Sequence, residues 1–304
     1  MVKLLAEPAP AKINLFLRVV GRRANGYHEL DSVFVPVSLC DRVRVEIRVE
    51  PESAADTVIA LGCDRDDIPR GDKNLAWRAA DAFLREFGAT IHRPRHVAID
   101  LRKEIPMGAG LGGGSSDAGA VLRMIAALCR INDATRLARI ALALGADVPF
   151  FLNPQVAHVG GVGEHIVPLD AVAPGERAPL WRIPLWMVIA VPPVEVSTAE
   201  VFRALLPEHW SGAAPAEHLR AIVAGQITPA MLQNDLAAVA MARHPEIAEL
   251  RSALVAAGAA GASMSGSGGA VFGIFADAEA AAQAAVKMRQ NPSHARYYVV
   301  NSLP

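Results

Sequence analysis

The chain has 304 residues, 52 % of them apolar and 20 % charged, with a formal net charge of −1. That length holds one large domain or two ordinary ones, and the composition excludes a disordered chain. Near-neutral charge supplies no global field for nucleic acid or an anionic membrane, so neither is an expected partner, while a local cluster can still bind a small anion.

Cys40, Cys63 and Cys129 form neither a disulfide framework nor a pair at metal-ligand spacing. Cys129 lies on an apolar helical pattern and reads as core. Met1–Pro10 carries one Lys and no apolar h-region, and no window reaches the ~18 uninterrupted apolar residues of a membrane span. The expectation is a cytoplasmic protein in a reducing compartment.

Ile13, Leu15, Leu17 and Val19 alternate with Lys12, Asn14, Phe16 and Arg18, a period of two that predicts an amphipathic strand. Lys12 and Asn14 therefore project to one face, ~7 Å apart along the strand. Val43, Val45, Ile47 and Val49 predict a second strand, and Val97, Ile99 and Leu101 a third. A glycine stretch follows, Pro106-Met107-Gly108-Ala109-Gly110-Leu111-Gly112-Gly113-Gly114-Ser115-Ser116-Asp117. After it Val121, Leu122, Ile125, Leu128 and Cys129 recur at helical spacing, so the order is strand, glycine loop, helix, with the helix expected to begin near Ser115–Asp117. A further helix runs from about Ala134 to Leu144 and stops at Gly145. Asp147 comes next, and Pro149 disfavours helix continuation.

The weakly periodic, Pro/Ala/Gly-rich segment Pro168–Pro184 is the candidate junction, dividing the chain into 1–168 and 169–304. Beyond it Trp186–Val191 reads as a buried strand. Pro245 opens a helix that Gly258 closes. Gly269–Phe275 reads as a strand, Asp277–Gln290 as a helix and Tyr297–Val300 as a last strand. The class is α+β.

In the glycine stretch, glycines let the backbone adopt positive φ and a ligand approach closely. The N–H groups that open the following helix suit phosphate, and the Ser115 and Ser116 hydroxyls can bind phosphate oxygens or Mg²⁺. No Gly-Lys-Ser/Thr follows, so this is not a Walker A loop. Gly108, Gly110 and Gly113 match the dinucleotide pattern in spacing, but about a hundred residues of other structure precede them, unlike the first strand of a Rossmann unit. The remaining alternative is a flexible linker.

With the loop so placed, the sequence resembles the GHMP kinases, whose phosphate loop has the form Pro-x-x-x-Gly-Leu-Gly-x-Ser-Ser. Pro106, Gly110, Leu111, Gly112, Ser115 and Ser116 fit it, and Gly113 and Gly114 lengthen the glycine run. Ala9–Leu17, Gly21–Leu30, Lys73-Asn74-Leu75, Leu144–Phe151, Gly161–Glu164 and Met264–Phe272 are similar to further motifs of one branch, whose substrate bears cytidine diphosphate. The resemblance covers nearly the whole chain.

It implies a two-domain GHMP kinase fold, with an N-terminal domain like ribosomal protein S5 domain 2 and a ferredoxin-like C-terminal domain. It implies ATP as co-substrate, with Mg²⁺, and phosphorylation of a cytidine-diphosphate-bearing sugar alcohol in non-mevalonate isoprenoid precursor synthesis. In this reading Asp147 takes the hydroxyl proton, and Lys12 holds Asp147 ionised and steadies the transferring group. Without the motif Lys12 would read as a solvated strand-end lysine and Asp147 as a turn residue.

Pro106, Gly108, Gly110, Leu111, Gly112, Gly113, Gly114, Ser115 and Ser116 are implied to hold ATP, with Asn74 near the adenosine. Asn14, Tyr27, His28 and Phe202 are implied on the substrate side, Tyr27 stacking on the cytosine and His28 bonding its edge. Phe202 reads equally as helix-face core. Asp117 departs from an asparagine of some relatives and receives no role. No Asp or Glu identifies itself as an Mg²⁺ ligand, and the nine histidines show no metal spacing. The oligomeric state stays open between monomer and homodimer. Another GHMP kinase, for homoserine or a mevalonate derivative, and a non-catalytic sensor on the same fold are the competing readings. A Rossmann oxidoreductase is a distant one.

Overall fold

The structure is a computed structural model and describes residues 1–49, 57–91, 94–172, 184–290 and 294–303. The chain forms two compact units that interleave in sequence. Met1–Ala11, Cys40–Ile105 and Gly112–Pro154 make the first, and Lys12–Leu39, Pro106–Leu111 and Gln155–Pro304 the second. The sequence reading has a single junction at 168/169 instead. The difference arises because two long paired strands, β1 (Val2–Arg22) and β2 (His28–Arg48), each give one part to each unit. Most of the proposed junction, 173–183, lies outside the described residues.

In the first unit β3 (Val58–Cys63) runs parallel to β4 (His96–Arg102), which pairs antiparallel with Arg42–Arg48 of β2. Val43, Val45 and Ile47 are buried on alternate positions, as the period of two requires, together with Val97, Ile99 and Leu101 of β4. Helices α1 (Leu75–Phe87), α2 (Gly113–Cys129) and α3 (Ala134–Leu144) bury Phe83, Phe87, Leu122, Ile125 and Ile140 in the same core. Each such side chain contributes about 1.5–3 kcal/mol by leaving water. Cys129 packs at the margin of this core.

The helix α3 has the expected bounds, opened by the Asp133 carboxylate accepting from the Arg136 N–H at 2.9 Å. After Asp147, Pro149 opens a 3₁₀ turn over Pro149–Leu152. A proline that cannot continue one helix is well suited to start the next.

In the second unit β5 (Ala157–Gly161) pairs with Leu30–Phe34 of β2 and with β6 (His165–Pro168), which leads into the short helix α4 (Leu169–Val172). An antiparallel sheet follows, in the order β10-β7-β9-β8. Its strands are β7 (Trp186–Val191), β8 (Gly261–Met264), β9 (Val271–Phe275) and β10 (Arg296–Asn301). Helices α5 (Thr198–Ala204), α6 (Ala216–Val223), α7 (Ala237–Arg243), α8 (Pro245–Ala256) and α9 (Ala278–Arg289) complete the unit. Its core gathers Leu17, Val19, Val188, Leu254, Val271 and Phe275. None of the described helices is long and apolar enough to cross a membrane.

Candidate active site

In the second unit, Lys12 and Asn14 share one face of β1, as two-residue spacing demands, and the Lys12 ammonium donates to Asn14 Oδ1 at 2.6 Å. That face is not solvated. Both side chains are buried, and residues 9–17 of β1 are buried on both sides, so the amphipathic strand read from the sequence is a fully covered one. The Lys12 Nζ also lies 4.6 Å above the Phe34 ring, a cation–π contact that offsets part of its desolvation.

Asn14 is the centre of the arrangement. Its Nδ2 donates to Ser32 Oγ at 3.0 Å, and its Oδ1 accepts the Gly266 N–H at 2.9 Å as well as Lys12. The main chain of Lys12 donates to Leu111 O at 3.0 Å, which fixes the strand to the glycine loop. Ser265 Oγ donates to Gly110 O at 3.0 Å, and Ala270 N to Ala109 O at 3.0 Å. The two glycine-rich loops thus lie backbone against backbone. At Gly110, with φ +75°, a Cβ would overlap the Ser265 carbonyl oxygen, so no other residue fits.

The early loop continues covalently into α2 of the first unit. Gly112, at φ +73°, is its N-cap, and the helix begins at Gly113 rather than near Ser115–Asp117. Gly113 and Gly114 are therefore helical. Beneath this first turn, Lys103 Nζ bridges the carboxylates of Asp41 and Asp117, all three side chains being buried. Asp41 Oδ1 also accepts from the Glu104 and Ile105 main-chain N–H groups at 2.7 and 2.9 Å. The cluster ties the exit of β4 to the start of α2 and so frames the loop between them.

Burial pushes the Asp117 carboxyl up to about 7; Lys103 opposes the shift and Asp41 adds to it. The folded chain then keeps a proton that the unfolded chain releases near pH 4. Between about pH 4 and pH 7 the unfolded state binds fewer protons, so this group's contribution to stability falls as pH rises. Asp117→Asn removes that titration. The difference in Tm, variant minus wild type, is expected to grow between pH 5 and pH 7 and then level off. A difference that is flat or shrinking over that range in calorimetry contradicts the assignment.

On the hairpin between β1 and β2, the Asn25 side chain accepts from Tyr27 N at 3.2 Å. Tyr27 is 65 % exposed, whereas His28 is buried. Phe202 of α5 stacks on His28, with centroids 5.4 Å apart and planes at 30°, and Trp210 meets His28 edge-on at 5.9 Å and 82°. Burial, and then Arg22, lower the His28 pKa, so its ring is neutral at pH 7. The structure thus brings His28 and Phe202 together, and Phe202 also packs on the core, so both readings of it hold.

Of two further site candidates, Asn74 has a local structural task as well. Asn74 is the N-cap of α1, accepting from Ala76 N at 2.9 Å and donating to Pro69 O at 2.8 Å. Asp147, half-buried, sits in the turn between α3 and the 3₁₀ turn, where Val148 N bonds Gly145 O at 3.1 Å. Asp147 and Asn74 belong to the first unit, Lys12 and Asn14 to the second.

Sequence reasoning missed Asn234, whose Nδ2 donates to Met264 O and Gly266 O at 2.8 and 2.9 Å and so shapes the late loop. It also missed its neighbour Asp235, which accepts from Val19 N at 2.7 Å. The one available signal is the polar run Gln233-Asn234-Asp235 between Leu232 and Leu236. Lys103, Asp41 and Trp210 were missed too.

The GHMP kinases N terminal domain family matches residues 74–154, and the GHMP kinases C terminal family residues 219–294. The 4-diphosphocytidyl-2-C-methyl-D-erythritol kinase of Geobacter metallireducens is 40 % identical over 287 residues, covering 93 % of this chain and 94 % of that relative. The chain belongs to the GHMP kinase family. This GHMP kinase is accordingly an ATP-dependent small-molecule kinase. A relative of the same name from Anaeromyxobacter sp. is 42 % identical over 286 residues, covering 94 % of this chain and 85 % of that one. A crystal structure of a 4-(cytidine 5'-diphospho)-2C-methyl-D-erythritol kinase matches with a TM-score of 0.78 and 38 % identity, over 99 % of this chain and all of that one. The homoserine kinase of Cytophaga hutchinsonii matches at a TM-score of 0.70 and 20 % identity, which speaks for the two-domain GHMP kinase fold alone.

Proposed function

We propose that the protein transfers the γ-phosphoryl group of ATP to the 2-hydroxyl of 4-diphosphocytidyl-2-C-methyl-D-erythritol, a step of non-mevalonate isoprenoid precursor synthesis. The hydroxyl oxygen forms the new bond to the γ-phosphorus, the bond from that phosphorus to the bridging oxygen breaks, and ADP leaves. Asp147 accepts the hydroxyl proton. An aspartate is a weak base for an alcohol, so orientation of the hydroxyl carries much of the rate. Lys12 supplies fixed positive charge for the transferring group. The observation that carries this reading is the buried Lys12 ammonium, held by Asn14 on a strand whose main chain bonds the glycine loop at Leu111.

Gly108, Gly110, Leu111 and Gly112 form the phosphate cradle with Pro106 at its entry, and Gly113, Gly114, Ser115 and Ser116 complete it at the start of α2. Mg²⁺ enters with the nucleotide and neutralises phosphate charge when bound. Ser116 Oγ is a buried oxygen with no hydrogen-bond partner among the described residues, which suits it to hold the ion. Asn74 lies toward the adenosine. Residues 1–168 thus carry nucleotide binding and catalysis, and 169–304 complete the substrate site through Phe202. Tyr27, His28 and Phe202 take the cytosine, with Asn14 on the substrate side. The protein works in the cytoplasm, as monomer or homodimer.

The aromatic cluster around His28 favours a base-bearing acceptor over homoserine or mevalonate, which offer no ring to stack. ADP release by the purified protein is expected with the cytidine-bearing alcohol, at a kcat/KM at least about 1,000-fold above that for homoserine or mevalonate. Comparable values for the three acceptors would overturn the substrate; no ADP release with any of them would favour a sensor.

A further inference from the structure

Trp210 follows a short 3₁₀ turn, Pro207–His209, and belongs to none of the motifs in the sequence. Its ring meets the edge of His28, whose face Phe202 covers. Trp210 Nε1 and His28 Nε2 are both buried, and neither has a hydrogen-bond partner among the described residues. An indole N–H can only donate, whereas a neutral imidazole offers one donor and one acceptor. Folded proteins seldom leave such atoms unpaired, and two in one aromatic cluster call for a shared cause.

We propose that Trp210 determines specificity for the substrate base, its indole N–H donating to an acceptor, O2 or N3, on the edge of the cytosine. The inference rests on the cytidine-bearing substrate proposed above and adds a residue to its recognition. A cytosine edge carries adjacent acceptors and an amine donor. The donor-only indole takes an acceptor, and His28 Nε2, whichever tautomer it adopts, complements a neighbouring edge atom. Trp210 is half-buried against the core of the second unit, and a turn of its ring that presents the N–H to the ligand is part of the proposal.

Trp210→Phe keeps a ring against His28 and removes the N–H. It is expected to raise KM for the cytidine-bearing alcohol about tenfold while leaving kcat and the KM for ATP within about twofold. Trp210→His, which restores a ring N–H, is expected to recover part of the loss. In ¹H–¹⁵N spectra of the wild-type chain, the indole resonance missing from Trp210→Phe should move downfield and saturate as cytidine diphosphate is added, and stay in place with ribose 5-phosphate. An unchanged KM in a folded Trp210→Phe variant, or an indole resonance indifferent to saturating cytidine diphosphate, overturns the role of Trp210 while wild-type turnover of the cytidine substrate leaves the substrate reading intact. A wild-type chain that neither binds cytidine diphosphate nor turns over the cytidine substrate overturns both.

Discussion

Asp147→Asn is expected to lower kcat by about 1,000-fold while leaving the affinity for ATP within about twofold. Asparagine keeps the shape of the side chain and its place in the turn between α3 and the Pro149–Leu152 turn. It cannot take a proton from an alcohol. General-base assistance is worth about 100- to 10,000-fold, and in the proposed mechanism the residual rate comes from phosphate binding and from Lys12. Because Asp147 lies outside the glycine loop, nucleotide affinity should survive its replacement. Steady-state kinetics with calorimetric binding of a non-hydrolysable ATP analogue separates the two effects. A near-normal kcat contradicts the role of Asp147 as base, and an equal loss of nucleotide affinity would make it a binding residue instead.

Gly110→Ala is expected to destabilise the fold by about 3–4 kcal/mol and to abolish turnover. Two costs add. The backbone sits at φ +75°, where a Cβ is strained, and the added carbon would overlap the Ser265 carbonyl oxygen and stand 3.0 Å from Gly268 O. The late loop cannot retreat cheaply. Ser265 N bonds Ala270 O at 2.9 Å, Ser265 Oγ bonds Gly110 O, and Gly266 is held by Asn14 and Asn234. The control is Gly114→Ala, at a helical position whose nearest neighbour would be Leu75 Cδ1 at 3.8 Å. Alanine favours a helix over glycine, so Gly114→Ala should leave Tm unchanged or raise it slightly. Thermal unfolding of the two variants tests the close crossing of the loops, and equal Tm values for both would contradict it.

The elements legible in the sequence are those with strong local signals. The Asp133 cap and Gly145 bracket α3, Pro245 opens α8, and Asp277 caps α9 through Ala280 N. Alternation reveals the end of β2 because one of its faces is exposed there. It reveals only the middle of β1, whose 21 residues pass from a half-exposed start to a stretch buried on both faces. Short helices such as α5 and α6, and the four-residue β8, hold too few residues for a period to show. The start of α2 was displaced because glycine is a poor helix former, and two glycines are helical there by tertiary constraint.

At the candidate site, the glycine-rich loop is visible as composition, and the partnership of Lys12 with Asn14 as spacing. What joins them to the late loop was not. Asn14 and Gly266 are 252 positions apart, and no local pattern encodes that hydrogen bond. The same holds for the Asp41–Lys103–Asp117 cluster, which draws on a strand, a strand exit and a helix start. Trp210 and Asn234 lack any motif of their own and gain meaning only from the atoms around them.

The most direct test of the account is ³¹P NMR of a reaction holding the purified protein, ATP with Mg²⁺, and 4-diphosphocytidyl-2-C-methyl-D-erythritol. A new phosphomonoester resonance, rising in step with ADP and carried on the 2-hydroxyl of the acceptor, is the predicted result. ADP without a phosphorylated acceptor, or a phosphomonoester formed on homoserine or mevalonate in its place, would contradict it.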